Sequence, residues 1–127
     1  MATYDDRDFI VALGDGEVIV FGSNLAGNHY GGAARQAYDS FGAEWGVGEG
    51  LTNQSYAFPT LDENMQPVSG TVLKMARLNL YKTAEAHPDL TFYLTKVGCR
   101  IAGFDERRIR KLFANPPPNI IKPADWQ

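Results

Sequence analysis

The sequence predicts an α/β domain: a mainly parallel central sheet with helices on both faces. Three observations predict it. "EVIVF" (Glu17–Phe21) and "LTFYLTKV" (Leu90–Val97) are continuous β-branched and aromatic runs, the pattern of strands buried on both faces. Apolar residues at helical spacing follow each run: Ala33, Ala37 and Phe41 after the first, and Ile109, Leu112 and Phe113 after the second. Glycine-rich joins separate each strand from its helix, and the first is far longer than the roughly two to six residues a plain connection needs.

In chain order, residues 1–8 are polar and expected to fray. "FIVAL" (Phe9–Leu13) is a short apolar run, and "GDG" (Gly14–Gly16) is a turn. The strand Glu17–Phe21 leads into "GSNLAGNHYGG" and then a helix from Gly31 or Gly32 to Phe41. "GAEWGVGEGLTNQ" (Gly42–Gln54) is a second glycine-rich irregular segment, running from a helix into a strand. "SYAFPT" (Ser55–Thr60) is a strand that Pro59 is expected to stop. The clearest helix is Ser69–His87, with an apolar stripe of Val72, Met75, Ala76, Leu80 and Ala84, and Pro88 ends it. After Leu90–Val97 comes a third glycine loop, "GCRIAG" (Gly98–Gly103), and Asp105 is placed to N-cap the next helix. Residues 115–127 form a proline-rich tail in which "NII" can add a short strand.

The 127 residues are one domain's worth, so 1–127 is expected to be a single domain. A chain of this length buries roughly two-thirds of its unfolded surface, enough for a core. Hydrophobic residues make up 44% and charged residues 21%, which excludes a disordered chain. The net charge of −3 disfavours a nucleic-acid binder that neutralises many phosphates. A small anion remains admissible, because backbone N–H groups bind one without cationic side chains. Cys99 is the only cysteine, so neither an internal disulfide nor a cysteine zinc cluster can form. No apolar run approaches the roughly 18 residues of a membrane span, and "MATYDDRDF" lacks a signal-peptide pattern. The expectation is a cytoplasmic protein without cofactor, metal or membrane partner.

The loops suit a phosphate-bearing ligand. Glycine lets a ligand approach the backbone, and a helix N-terminus leaves N–H groups unpaired beside partial positive charge. Gly31 and Gly32 sit at such a terminus, and Asn24, at the strand end, can offer its amide to a sugar hydroxyl. The loop Gly98–Gly103 offers a second set of N–H groups. Plainer readings stand beside these. Paired glycines also permit tight helix–strand packing, and neither G-x-G-x-x-G nor G-K-[ST] is present. Asn24 can be a turn residue, His29 a surface residue, and Cys99 a small hydrophobe. Tyr56, Phe58, Phe92 and Tyr93 fit the core. Trp45 and Phe104 flank glycine loops, where either can pack or stack on a base. "ERRIRK" (Glu106–Lys111) fits the solvated face of a helix.

The order "IVFGSN…GGAARQAY…FGA", "GVGEGLTNQSYAFPT", "FYLTKVGCRIAGF" resembles the macrodomain family over about Glu17 to Phe113. It is also similar to a compact macrodomain-like group found in phages and bacteria. The resemblance implies a three-layer α/β/α fold and binding of ADP-ribose or a related nucleotide. Carried over by position, Asn24 matches the strand-end asparagine at the distal ribose, within a segment that includes Phe21, Gly22, Ser23, Leu25 and Ala26. Gly31, Gly32 and Ala33 match the helix-start loop. Gly48, Glu49, Gly50, Thr52 and Gln54 would lie along the cleft. Gly98, Cys99, Arg100, Ile101, Ala102 and Gly103 match the diphosphate loop, with Phe104 beside the distal ribose. Two departures stand out. Hydrolytic members often carry an aspartate where this chain has Ala33, Ala34 and Arg35. The adenine-reading aspartate has only Asp15 as a counterpart, and its spacing is too short. The leading expectation is therefore a binding module that sequesters or senses a nucleotide signal. The alternative is an ADP-ribosyl hydrolase or an ADP-ribose-phosphate phosphatase, with His29 or Glu49 activating water.

Overall fold

The computed structural model describes residues 1–4 and 9–127. Residues 5–8 of the segment expected to fray lie outside the described residues. Thr3–Tyr4 (β1), within that same segment, pairs antiparallel with Ile10–Ala12 (β2). Tyr4 meets Tyr93 edge-on at 6.5 Å, which ties this ribbon to the sheet.

Five strands form the sheet, in the order β4–β5–β3–β6–β7. The central strand, β3 (Glu17–Asn24), runs parallel to β5 (Ser55–Leu61) and to β6 (Thr91–Leu94). Strand β7 (Ile120–Ile121) lies parallel outside β6, and β4 (Gly50–Thr52) is antiparallel to β5. The side chains of β3 alternate. Val18 and Val20 join one buried cluster, Ile19 and Phe21 the other. Helices α2 (Gly70–Ala86) and α3 (Glu106–Leu112) cover the first face through Leu73, Leu80 and Ile109. Helix α1 (Gly32–Ser40) and the β1–β2 ribbon cover the second through Ala37 and Ile10. The outcome is three layers around a mainly parallel sheet. No helix among the described residues is long and apolar enough to cross a membrane.

Three local expectations are corrected, while the short strand expected of "NII" is present as β7. The stripe of α2 holds at Ala76, Leu80 and Ala84, but Leu73 is buried in place of Met75, which is half exposed. Strand β5 runs through Pro59 to Leu61. Its partner β4 reaches only Ala57, so beyond that point one side of β5 has no strand and a missing N–H is tolerated. The segment Gly42–Gln54 is not wholly irregular, since it contains β4. The proline-rich tail is docked: Ile120 and Trp126 are buried, and Nδ2 of Asn119 donates toward the carbonyls of Ala84, His87 and Leu90 at 2.9–3.0 Å. Asn119 thus satisfies the carboxyl end of α2, while Ser69 Oγ caps its start by accepting from the N–H of Val72.

One carboxylate is buried at the head of β3. Glu17 accepts from the N–H of Gly14 at 2.6 Å and from the hydroxyl of Tyr93 at 2.8 Å, and the amino terminus lies 3.3 Å away. Burial pushes its carboxyl upward, but these three donors together hold it below the ordinary 4.5. A depressed carboxyl stabilises the fold above its unfolded pKa and loses that contribution as pH falls through the folded value. Glu17→Gln should therefore be less stable than wild type at pH 7, and the gap should narrow between about pH 5 and pH 2 in urea unfolding series. Asn119→Ala should lower stability by about 1–3 kcal/mol with an unchanged m-value, because it strands carbonyls at the end of α2.

Candidate functional site

The carboxyl ends of β3, β5 and β6 share one edge of the sheet, and residues 25–31 and 95–105 emerge there. Sequence order left the second glycine segment unplaced. The antiparallel sense of β4 settles it, because a chain entering β4 must start from this same edge. Ser23 Oγ donates to the carbonyl of Gly48 at 2.5 Å, and the N–H of Gly46 donates to the carbonyl of Gly27 at 2.9 Å. The two segments meet backbone against backbone. A Cβ on Gly27 would collide with the main chain of Gly46 and Val47. A Cβ on Gly48 would lie 2.6 Å from the carbonyl oxygens of Asn24 and Leu25. These two glycines answer to loop packing.

The side chains beneath this contact are occupied. Asn24 is buried, and its amide accepts from the N–H of Asn28 at 3.1 Å and donates to its carbonyl at 2.8 Å. His29 is fully buried rather than at the surface. Its Nε2 lies 2.8 Å from the carbonyl of Glu44, so that nitrogen carries the proton and donates. Nδ1 has no partner among the described residues, and the ring packs against Phe21, Tyr38 and Trp45 at 5.4–6.2 Å. Such an imidazole pins the first loop to the second. Above it, Tyr30 and Trp45 meet at 5.0 Å, both exposed, beside Gly31.

The third loop seats on β3 from the other side. Gly22 leaves room for the main chain of Val97 and Gly98, and Gly98 packs on Thr60 and Phe104. Within the loop, Cys99 is half-buried, and burial raises its thiol pKa, with Glu106 adding to the rise. Arg100 is exposed, and its guanidinium lies 4.4 Å above the ring of Phe9. Ile101 and Gly103 face solvent, and Ala102 and Phe104 are half-buried.

Of the residues expected to bind, Leu25, Gly31, Gly32, Ala33, Arg100, Ile101 and Gly103 are exposed at this edge, with Ala26, Ala102 and Phe104 half-covered there. Phe21 and Ser23 are interior. Among the described residues no side chain caps α1 at Gly31, and no acid stands in its first turn, which leaves its first N–H groups without a side-chain acceptor there. Gly32 has φ +62° with open space around it. Thr52 and Gln54 are not with this group. Gln54 donates to the carbonyls of Gly14 and Glu17, at the opposite end of the eight-residue strand β3. Glu49 is exposed and accepts from Asn79 on α2 at 3.2 Å, which turns it toward that helix. Burial, with the charge of Glu49 added, pushes the Tyr56 hydroxyl up to about 12. Asp15 lies in the turn before β3, away from the loops. Sequence reasoning missed Phe9, Tyr30 and Tyr38. Phe9 meets Arg100 across most of the chain, and Tyr30 and Tyr38 meet Trp45 only once the second loop folds against the first.

A mainly parallel five-stranded sheet between helical layers, with glycine loops gathered at its carboxyl edge, defines a macrodomain-like α/β/α fold. Among solved structures, the macrodomain of Mycobacterium tuberculosis DarG is similar, with a TM-score of 0.66, 17% identity and 96% of each chain covered. No family model matches the sequence, and no curated protein matches it.

The packing separates two kinds of glycine. Gly48→Ala should cost about 2 kcal/mol or more in urea unfolding, because carbonyls cannot give way as a side chain would. Gly31→Ser should stay within about 0.5 kcal/mol of wild type, since Gly31 is extended, open and at an N-cap. His29→Ala should cost about 2–4 kcal/mol through the cavity it leaves.

Proposed function

We propose that the protein binds ADP-ribose or a related nucleotide-derived molecule at the carboxyl edge of the sheet, without turning it over. The observation that carries this reading is the uncapped, exposed start of α1 on the same sheet edge as Arg100 and Gly103. The start of α1 and the N–H groups of residues 98–103 would take the diphosphate. Arg100, held over Phe9, would add charge, and Tyr30 with Trp45 would offer a flat ledge for a ring. The likeness of fold to the DarG macrodomain supports the ligand class. Binding without turnover follows from the carboxylates. Ala33 and Ala34 hold the first turn of α1, His29 is enclosed, and Glu49 leans to α2. A module of this kind would sequester or sense a nucleotide signal, and conflict between phage and host is one such setting.

Titration calorimetry and thermal shift with ADP-ribose and its cyclic and linear relatives test the reading. Saturation at 100 times Kd should add about 2.7 kcal/mol of stability. Arg100→Glu should weaken binding at least tenfold while leaving the unfolding midpoint of the free protein in place. ADP-ribose recovered intact by mass spectrometry after long incubation supports binding alone, and product formation overturns that part. Absence of stabilisation by any phosphate-bearing ligand overturns the whole.

A further inference from the structure

A groove of about 260 Å³ runs between α2 and α3 on the outer surface. Its floor is aliphatic: Leu73 and Ile109 are buried, and Leu112 is half-buried. Lys74, Arg77, Arg108 and Lys111 line it, and none of its lining residues is acidic. This concentration of positive charge stands out on a chain whose net charge is −3. Among the described residues, no carboxylate forms an ion pair with any of these four cations. Glu106, the acid on α3, is drawn toward Lys96 at 3.5 Å.

Two of the guanidiniums are fixed by neutral groups. Arg77 donates to the carbonyl of Leu112 at 3.1 Å and lies over Tyr81 at 5.9 Å. Arg108 lies over Phe104 at 5.3 Å. Gly70 lies close beneath it, and a Cβ there would lie 3.0 Å from Arg108 Nη2. The cations are thus positioned without being neutralised, which favours an anionic partner.

We propose that the groove docks an acidic peptide segment of a partner protein. Aliphatic side chains of the segment rest on Leu112 and on the methylene stems of the lining lysines and arginines, and its carboxylates meet Lys74, Arg108 and Lys111. The groove is smaller than the roughly 300–1,000 Å³ of sites that enclose a small molecule, which argues against a buried cofactor. Single-stranded nucleic acid needs aromatic faces on which bases stack. None of the residues lining the groove is aromatic. The proposal is independent of the nucleotide reading.

Fluorescence anisotropy with three labelled probes tests it: a peptide in which leucines interrupt a run of glutamates, an all-glutamate peptide of equal length, and oligo(dA). The leucine-bearing peptide should bind, weaken with salt, and bind several-fold tighter than the all-glutamate peptide. Arg108→Glu, and Lys74→Glu with Lys111→Glu, should each cost at least tenfold. Lys82→Glu, on α2 but outside the groove, should change nothing. Circular dichroism melting verifies each fold, with the alanine versions of the double variant in reserve. Unchanged ADP-ribose affinity in the Lys74→Glu with Lys111→Glu variant separates this surface from the sheet edge. No binding of the leucine-bearing peptide, equal binding of the all-glutamate peptide, tighter binding of oligo(dA), or indifference to charge reversal overturns the proposal.

Discussion

Where β3 ends, two stretches of main chain lie against each other with no side chain between them. Gly27 faces Gly46, and Gly48 faces the carbonyls of Asn24 and Leu25. Main chains this close must satisfy each other's polar groups, because water cannot enter between them. The Gly46–Gly27 hydrogen bond and the bond from Ser23 to Gly48 do so. Much else follows from this contact. Asn24 folds the first loop back on itself, His29 pins it to Glu44, and Trp45 comes to rest over His29. The start of α1 is then placed by chain length, two residues beyond Tyr30.

The sheet was legible because its strands carry their burial in their own residues. A strand covered on both faces needs continuous apolar character, and "EVIVF" has it. Helix ends were legible for a related reason. Ser69 and Asp105 act on N–H groups two or three residues away, within reach of a sequence pattern. The register of α2 was less so, because Met75 and Leu73 are equally apolar and only the sheet decides which turns inward.

The site was harder to read, and glycine is the reason. A glycine that admits a ligand and one that admits another main chain leave the same letter. Gly27 and Gly48 are of the second kind, while Gly31, Gly32 and Gly103 stand open. Histidine misleads in a similar way. Its loop position suggested exposure, but two loops close over His29 and bury it. Gln54 was grouped with Gly48 by proximity in sequence, yet β4 lies between them and carries Gln54 to the far edge. Each of these outcomes depends on a contact across the chain that no local pattern encodes.

The walls of the proposed cleft differ in how firmly they are held. The first is locked by a buried imidazole, a buried asparagine and main-chain packing, so ordering it costs a ligand little. The second, residues 98–104, is anchored at its ends. Gly98 is clamped between β3 and Phe104, and the N–H of Phe104 donates back to Gly98. Asp105 then caps α3 at once. Between those anchors Arg100 and Ile101 reach into solvent, and Arg100 rests on Phe9. Local opening concentrates where buried contacts are few. A ligand would therefore meet one preformed wall and one adjustable arm. Affinity would come chiefly from the first, and discrimination among related phosphates from the reach of Arg100 in the second.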